Sequence, residues 1–213
     1  MNNNRTALVT GSTGGLGAAI AKALAADNVS VIVSGRSAER GNAVVDEIRA
    51  SGGTAAFVAV DLSAGEPEIR RFAELSAEAA GGRLDILVNN AALLLMPTPT
   101  AEVSAELLRD AFGVNVFAPF LLTGAIAPAM AEAGGGAIVN IGSITGLRGA
   151  AGSALYTAPT RPPCTPSRPP GPTSSARTAC GSTPSPRGRS PPSVSRSTPT
   201  TSPRYCTGCP RAG

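Results

Sequence analysis

The sequence predicts an α/β protein, a doubly wound parallel sheet of at least five strands, followed by a segment that fits no such fold. Three observations lead there. Short aliphatic and β-branched runs alternate with longer Ala-rich segments of helical period, the pattern of a parallel sheet wrapped by helices. A glycine-rich turn joins the first run to the first helical segment. The composition changes abruptly near position 158, which divides the 213 residues into a domain over 1–158 and a tail over 159–213.

Strands are read over 7–9, 30–34, 55–60, 86–89 and 137–141. The helices between them are read over 15–26, 38–51, 66–80 and 104–133, the last broken into two. Ser63 followed by Glu66 and Pro67 reads as a capping box with a proline near the first turn, which sets the start of the third helix.

The overall charge hides two unlike parts. The chain has a formal net charge of +4. Residues 1–158 carry 10 Lys and Arg against 14 Asp and Glu, whereas 159–213 carry 8 Arg and no acid. All four cysteines, Cys164, Cys180, Cys206 and Cys209, lie in the tail, so cysteine usage says nothing about the compartment of the domain. No signal-peptide pattern opens the chain and no run of about 18 purely apolar residues is read, so a cytoplasmic location without a membrane partner is expected.

The loop Thr10-Gly11-Ser12-Thr13-Gly14-Gly15-Leu16-Gly17 lies between the first strand and the first helix. Glycines there let backbone pass close to a pyrophosphate, and the helix N-terminus offers unpaired N–H groups and a partial positive charge. About twenty residues on, the second strand ends in Val33-Ser34-Gly35-Arg36. An acid at such a place bonds a ribose 2′-hydroxyl, whereas Arg36 suits a 2′-phosphate. Asp61-Leu62 follows the third strand and Asn89-Asn90-Ala91-Ala92 the fourth. Taken alone, Asp61 reads as a turn acid and Asn89 as a loop amide.

The spacing Thr-Gly-x-x-x-Gly-x-Gly, followed in order by these positions, resembles the short-chain dehydrogenase/reductase family over about residues 5–158. The resemblance implies a Rossmann-like fold and a nicotinamide cofactor, with NADP(H) preferred through Arg36 and NAD(H) possible. It places the cofactor on Gly11, Ser12, Thr13, Gly15, Leu16, Gly17, Arg36, Asp61, Leu62, Asn89, Ala91 and Tyr156. Asp61 stands where the family has an acid at the adenine ring, and Ala92 where it has a glycine.

The resemblance also implies hydride transfer between the cofactor and a small carbonyl or secondary alcohol. Ser143 matches the serine that bonds the carbonyl, and Tyr156, thirteen residues later, the tyrosine acid. Asn115 matches the asparagine that anchors a relay water. A free phenol has a pKa of about 10, so the tyrosine needs a nearby cation to act near neutral pH. The family supplies a lysine four residues later, but Thr160 stands there and Lys22 is the only lysine in the chain. The helix expected from Tyr156 and the last strands are missing from the readable pattern, which puts the family's usual dimer or tetramer in doubt.

Of the 55 tail residues, 14 are Pro and 19 are Ser or Thr, and Val194 is the single branched aliphatic. Such a segment buries too little apolar surface to offset about 1–2 kcal/mol of backbone entropy per residue, so disorder is expected. When the third base of each codon is read with the first two of the next, 178–188 is compatible with His-Gly-Val-Arg-Val-Asn-Ala-Val-Ser-Pro-Gly. The family carries a similar strand about thirty residues after its tyrosine. A slip of reading frame near Ala158 is the hypothesis that accounts for the break in composition; the shifted frame does not itself restore a lysine, since the codon at Thr160 then ends in AC.

Two alternatives stand beside an impaired reductase. One is a noncatalytic NADP-binding protein. The other makes the tail an interaction segment, with its arginines facing an acidic surface or its prolines an SH3-like groove; with Tyr205 its sole aromatic, nucleic acid is an unlikely partner. Cys206-Thr207-Gly208-Cys209 has zinc-like spacing, but no second pair and no histidine complete four ligands, so no metal is expected.

Overall fold

The computed structural model describes residues 5–143, Leu155 and the backbone of 176–179. Six strands form one sheet: β1 (Thr6–Val9), β2 (Ser30–Gly35), β3 (Ala55–Ala59), β4 (Ile86–Asn89), β5 (Gly136–Asn140) and β6 (Ala176–Ala179). Their order is β3-β2-β1-β4-β5-β6 and every pairing is parallel. The chain therefore lays strands outward from β1 in one direction, then returns to place β4 on its other side. That reversal is the switch point at which such sheets open a crevice beyond their strand ends.

Successive residues of each strand point to opposite faces, and both faces are covered. Leu8, Ile32, Leu87 and Ile138 face a layer built from Phe72 and Ile69 of α3 (Glu66–Ala79) and Leu122, Ile126 and Met130 of the last long helix. Val9, Val31, Val33 and Val88 face the other way. They meet α1 (Gly15–Ala26) and α2 (Ala38–Ala50) through Ala18, Ala21 and Ala25 and through Val44, Val45 and Ile48. Alanines on the inner face of α1 let that helix approach the sheet closely.

The helix expected to break over 104–133 runs instead without interruption. Its parts are α4 (Ala105–Phe112), one π-helical turn (Gly113–Phe117) and α5 (Ala118–Glu132). Ser104 caps the start by accepting the Leu107 N–H at 3.1 Å. Pro119 gives a reason for the π turn: it has no N–H to offer the carbonyl of Asn115 four residues back, and its ring crowds that carbonyl. The Ala118 N–H accordingly reaches back five residues, to Gly113.

This helix is long and apolar enough to cross a membrane by length and composition alone, a run that reading for unbroken apolar residues overlooks. Its spaced residues Ala118, Leu122, Ile126 and Met130 are buried against the sheet, as in a core helix.

Two further expectations are corrected. Helix α3 starts at Glu66 with proline in its first turn, but its N-cap is Gly65 and Ser63 does not cap it. Ser63 bonds backward to Asp61 instead. Within the tail, where no structure is expected, 176–179 takes extended backbone alongside β5. The outer edge of β5 presents unpaired N–H and C=O groups, which any extended segment can satisfy. The remainder of the tail lies outside the described residues.

Candidate cofactor and active site

The site is assembled at the C-terminal edge of the sheet, beginning with the turn after β1. Gly11 has φ of +64°, and a Cβ there would stand 2.9 Å from Ala91 Cα, so only glycine fits. Gly17 is fixed by contact: a Cβ would lie 2.4 Å from the Gly11 carbonyl oxygen and 2.6 Å from Asn90 Nδ2. At Gly14 and Gly15 the same addition meets nothing within 4 Å, so this stretch faces open space. Helix α1 begins there with no side-chain cap and no acid in its first turn. Its first N–H groups have no partner within the helix, and they suit an anion.

Ser12 supports the loop from beneath. Its hydroxyl donates to the Val9 carbonyl at 2.7 Å and accepts the Ser34 N–H at 2.9 Å, and its own N–H donates to the Ser34 carbonyl at 2.9 Å. Fully buried, it positions the loop rather than offering its hydroxyl to a ligand. Thr13 rests over Gly35, where a Cβ would come within 2.7 Å of its methyl carbon. Leu16 is 59% exposed on the first turn of α1.

Two residues outside the expected cofactor set hold the loop in place. Thr10 Oγ1 accepts the N–H groups of Asn90 and Ala91, both at 3.0 Å, and donates to the Val88 carbonyl at 3.3 Å. Asn90 Nδ2 donates back to the carbonyls of Thr10 at 2.9 Å and Gly11 at 3.3 Å. Only a threonine directly before the first glycine and a second asparagine after β4 hint at this lock in the sequence.

Beyond β2 and β3, Arg36 is exposed and Leu62 is in the core, so only its main chain is available to a ligand. Asp61 Oδ1 accepts the Ser63 hydroxyl at 2.7 Å and the Ser63 N–H at 3.0 Å. These bonds, aided by the Arg36 charge and opposed by slight burial, hold the Asp61 carboxyl below the usual aspartate range.

At the end of β4, Asn89 is buried and its Nδ2 donates to Asn140 Oδ1 on β5 at 2.9 Å, while its own Oδ1 has no hydrogen-bond partner among the described residues. Asn115, in the π turn, grips Leu93 twice: its Oδ1 accepts the Leu93 N–H at 2.7 Å and its Nδ2 donates to the Leu93 carbonyl at 3.2 Å. That clamp fixes the connection after β4, whose Leu94 and Met96 are 78% and 83% exposed. Ser143 follows β5 by three residues and is half-buried. Leu155 is helical and buried, and its neighbours Tyr156 and Thr160 lie outside the described residues.

Residues 5–159 match the family model described as short chain dehydrogenase. The chain belongs to the short-chain dehydrogenase family. Among relatives, it is 42% identical over 156 residues to cyclohexanol dehydrogenase of Acinetobacter sp. (strain SE19), covering 73% of this chain and 61% of that protein. The curated relatives it matches first are spanned over about three fifths of their length. A metagenomic short-chain oxidoreductase solved with NADP superposes with a TM-score of 0.70 at 40% identity, over 74% of this chain and 70% of that one. A 7α-hydroxysteroid dehydrogenase solved with NADH and 7-oxo glycochenodeoxycholic acid gives 0.69 at 34% identity, over 73% and 60%. The relatives and structural neighbours thus include a named dehydrogenase and proteins solved with NADP or with NADH. The open glycine turn over an uncapped helix leaves the first N–H groups of α1 facing space in which an anion fits.

Proposed function

We propose that this chain is the cofactor-binding part of an NADP(H)-dependent reductase of ketones or secondary alcohols, with its chemistry impaired in the sequence as it stands. The observation that carries the reading is the turn Gly11–Gly17: open at Gly14 and Gly15, uncapped at α1, and neighboured by exposed Arg36 where a 2′-phosphate would sit. Gly11, Thr13, Gly15, Leu16 and Gly17 cradle the pyrophosphate, chiefly through main-chain N–H groups. Asp61 receives the adenine side, and Asn89 and Ala91 line the floor at the switch point. NADP-bound and NADPH-bound structural relatives support the preference given to Arg36, though one relative holds NADH.

When bound, the cofactor supplies hydride to the carbonyl carbon. Ser143 donates a hydrogen bond to the carbonyl oxygen, and the Tyr156 phenol gives it a proton. Asn115, matched to the residue that anchors a relay water, also grips Leu93 through its side-chain amide, and Leu93, Leu94, Leu95 and Met96 form a wall against an apolar portion of substrate. The weak member is position 160, where Thr160 brings no cation to lower the tyrosine pKa. Losing such help costs about 10²–10⁴ in rate. A slip of reading frame near Ala158 accounts for the composition of the tail. A cytoplasmic location accompanies this reading.

The same missing lysine favours a second reading, in which the chain holds NADP and performs no chemistry. Hydride transfer from NADPH to cyclic ketones, assayed with this polypeptide and with a frame-restored variant, decides between them. Turnover is expected only from the restored chain. Robust turnover by the 213-residue chain defeats the impairment, and none from either chain defeats the reductase reading.

A further inference from the structure

Between α1 and α2 lies a solvent-open cleft of about 420 Å³ whose walls include Thr13, Gly14 and Gly15 of the loop, Lys22 of α1, and Arg40 and Glu47 of α2. Lys22 and Glu47 pair with each other, so they contribute little net charge. Arg40 makes no ion pair among the described residues. Its main-chain N–H donates to the Ser37 hydroxyl that caps α2, at 3.3 Å, which fixes its backbone in the first turn of that helix, where the residue lines the cleft.

The sheet order places β2 between β3 and β1. Arg36, at the end of β2, acts on Asp61 beyond β3, whereas Arg40 lines the cleft beside the loop that follows β1. Arg36 and Arg40 thus both follow β2, one acting on Asp61 and the other lining the cleft beside the phosphate loop. A phosphate monoester carries about −1.5 to −2 charge at pH 7, more than one exposed cation answers. A ribose whose pyrophosphate sits on the α1 N-terminus has its 2′ substituent at this strand end.

We propose that Arg40 is a second specificity residue for NADP(H), closing on the 2′-phosphate from the α1–α2 cleft opposite Arg36. The inference rests on the NADP(H) reading above. Arg40 is exposed on a helix surface, so Arg40→Gln tests its charge without opening the core.

Fluorescence titration gives dissociation constants for NADPH and NADH with the unchanged chain and with R40Q, R36Q and, as a distant control, R71Q on α3. Melting curves check that each variant is folded. R40Q is expected to weaken NADPH about five- to tenfold while leaving NADH within about twofold, as losing one charge-assisted phosphate contact implies. It is also expected to shrink the advantage of adenosine 2′,5′-bisphosphate over AMP in competition with NADPH, and R71Q to change neither. If R36Q weakens NADPH and R40Q does not, Arg40 has no such role and the NADP(H) reading survives. Equal weakening of both cofactors by R40Q also overturns the inference. If the unchanged chain binds NADH as tightly as NADPH, the NADP(H) preference itself fails.

Discussion

Thr10 and Asn90 hold one another at both main chain and side chain: the Asn90 N–H donates to Thr10 Oγ1 at 3.0 Å, and Asn90 Nδ2 donates to the Thr10 carbonyl at 2.9 Å. This pair ties the turn after β1 to the turn after β4 across the switch point, and so couples the phosphate loop to the floor of the crevice. Thr10→Val removes the hydroxyl at nearly constant volume and leaves the Asn90 and Ala91 N–H groups without their acceptor. The variant is expected to lose about 1–3 kcal/mol of stability in urea denaturation, whereas Thr10→Ser loses much less.

Gly17 is expected to be indispensable for a different reason. Its Cβ would collide with the Gly11 carbonyl oxygen and Asn90 Nδ2, so Gly17→Ala must push the loop away from α1. Gly14 has extended backbone and open space around it, and Gly14→Ala should fold normally. Circular dichroism and cofactor titration check both: a near-native spectrum is expected for G14A, and greatly weakened cofactor binding for G17A.

Asp61 offers a test by pH. Because its carboxyl is held below the ordinary range, its interactions contribute stability above the unfolded aspartate pKa and lose it as pH falls through the lowered folded value. The contribution is small because the group is exposed. Ser63→Ala removes the hydroxyl bond, the largest cause of the shift, so the Asp61 pKa should rise toward the usual aspartate value in a carboxyl NMR titration. Arg36→Gln should raise it by less.

The fold was legible because both structural periods are written plainly. Val31-Ile32-Val33 and Ile86-Leu87-Val88 fall in runs read as strands, and the Ala-rich stretch 15–26 is read as a helix. Less legible were features that depend on the partner across space. Ser63 reads as a cap by position, yet Asp61 captures it two residues away. Ser12 reads as a ligand contact, yet Ser34, twenty-two residues on, draws it inward. The segment 104–133 reads as two helices, and the chain instead absorbs Pro119 with one π turn in a continuous helix. Asn115, matched to a relay asparagine, turns its amide to Leu93, a contact no spacing rule reveals.

The clamp on Leu93 makes Asn115→Ala informative. Removing both bonds should free the connection carrying Leu94 and Met96. Faster amide exchange at 93–99 and faster chymotryptic cleavage there are expected, with protection of β1 and β4 unchanged. Equal exchange in both proteins would show that packing alone holds the segment.

The most direct test of the central claim is equilibrium titration of the unaltered 213-residue chain with NADPH, followed by cofactor fluorescence. Saturable one-to-one binding, abolished by G17A and tighter than that of NADH, is the expected result. Absence of saturable binding by either cofactor to the folded chain would contradict it.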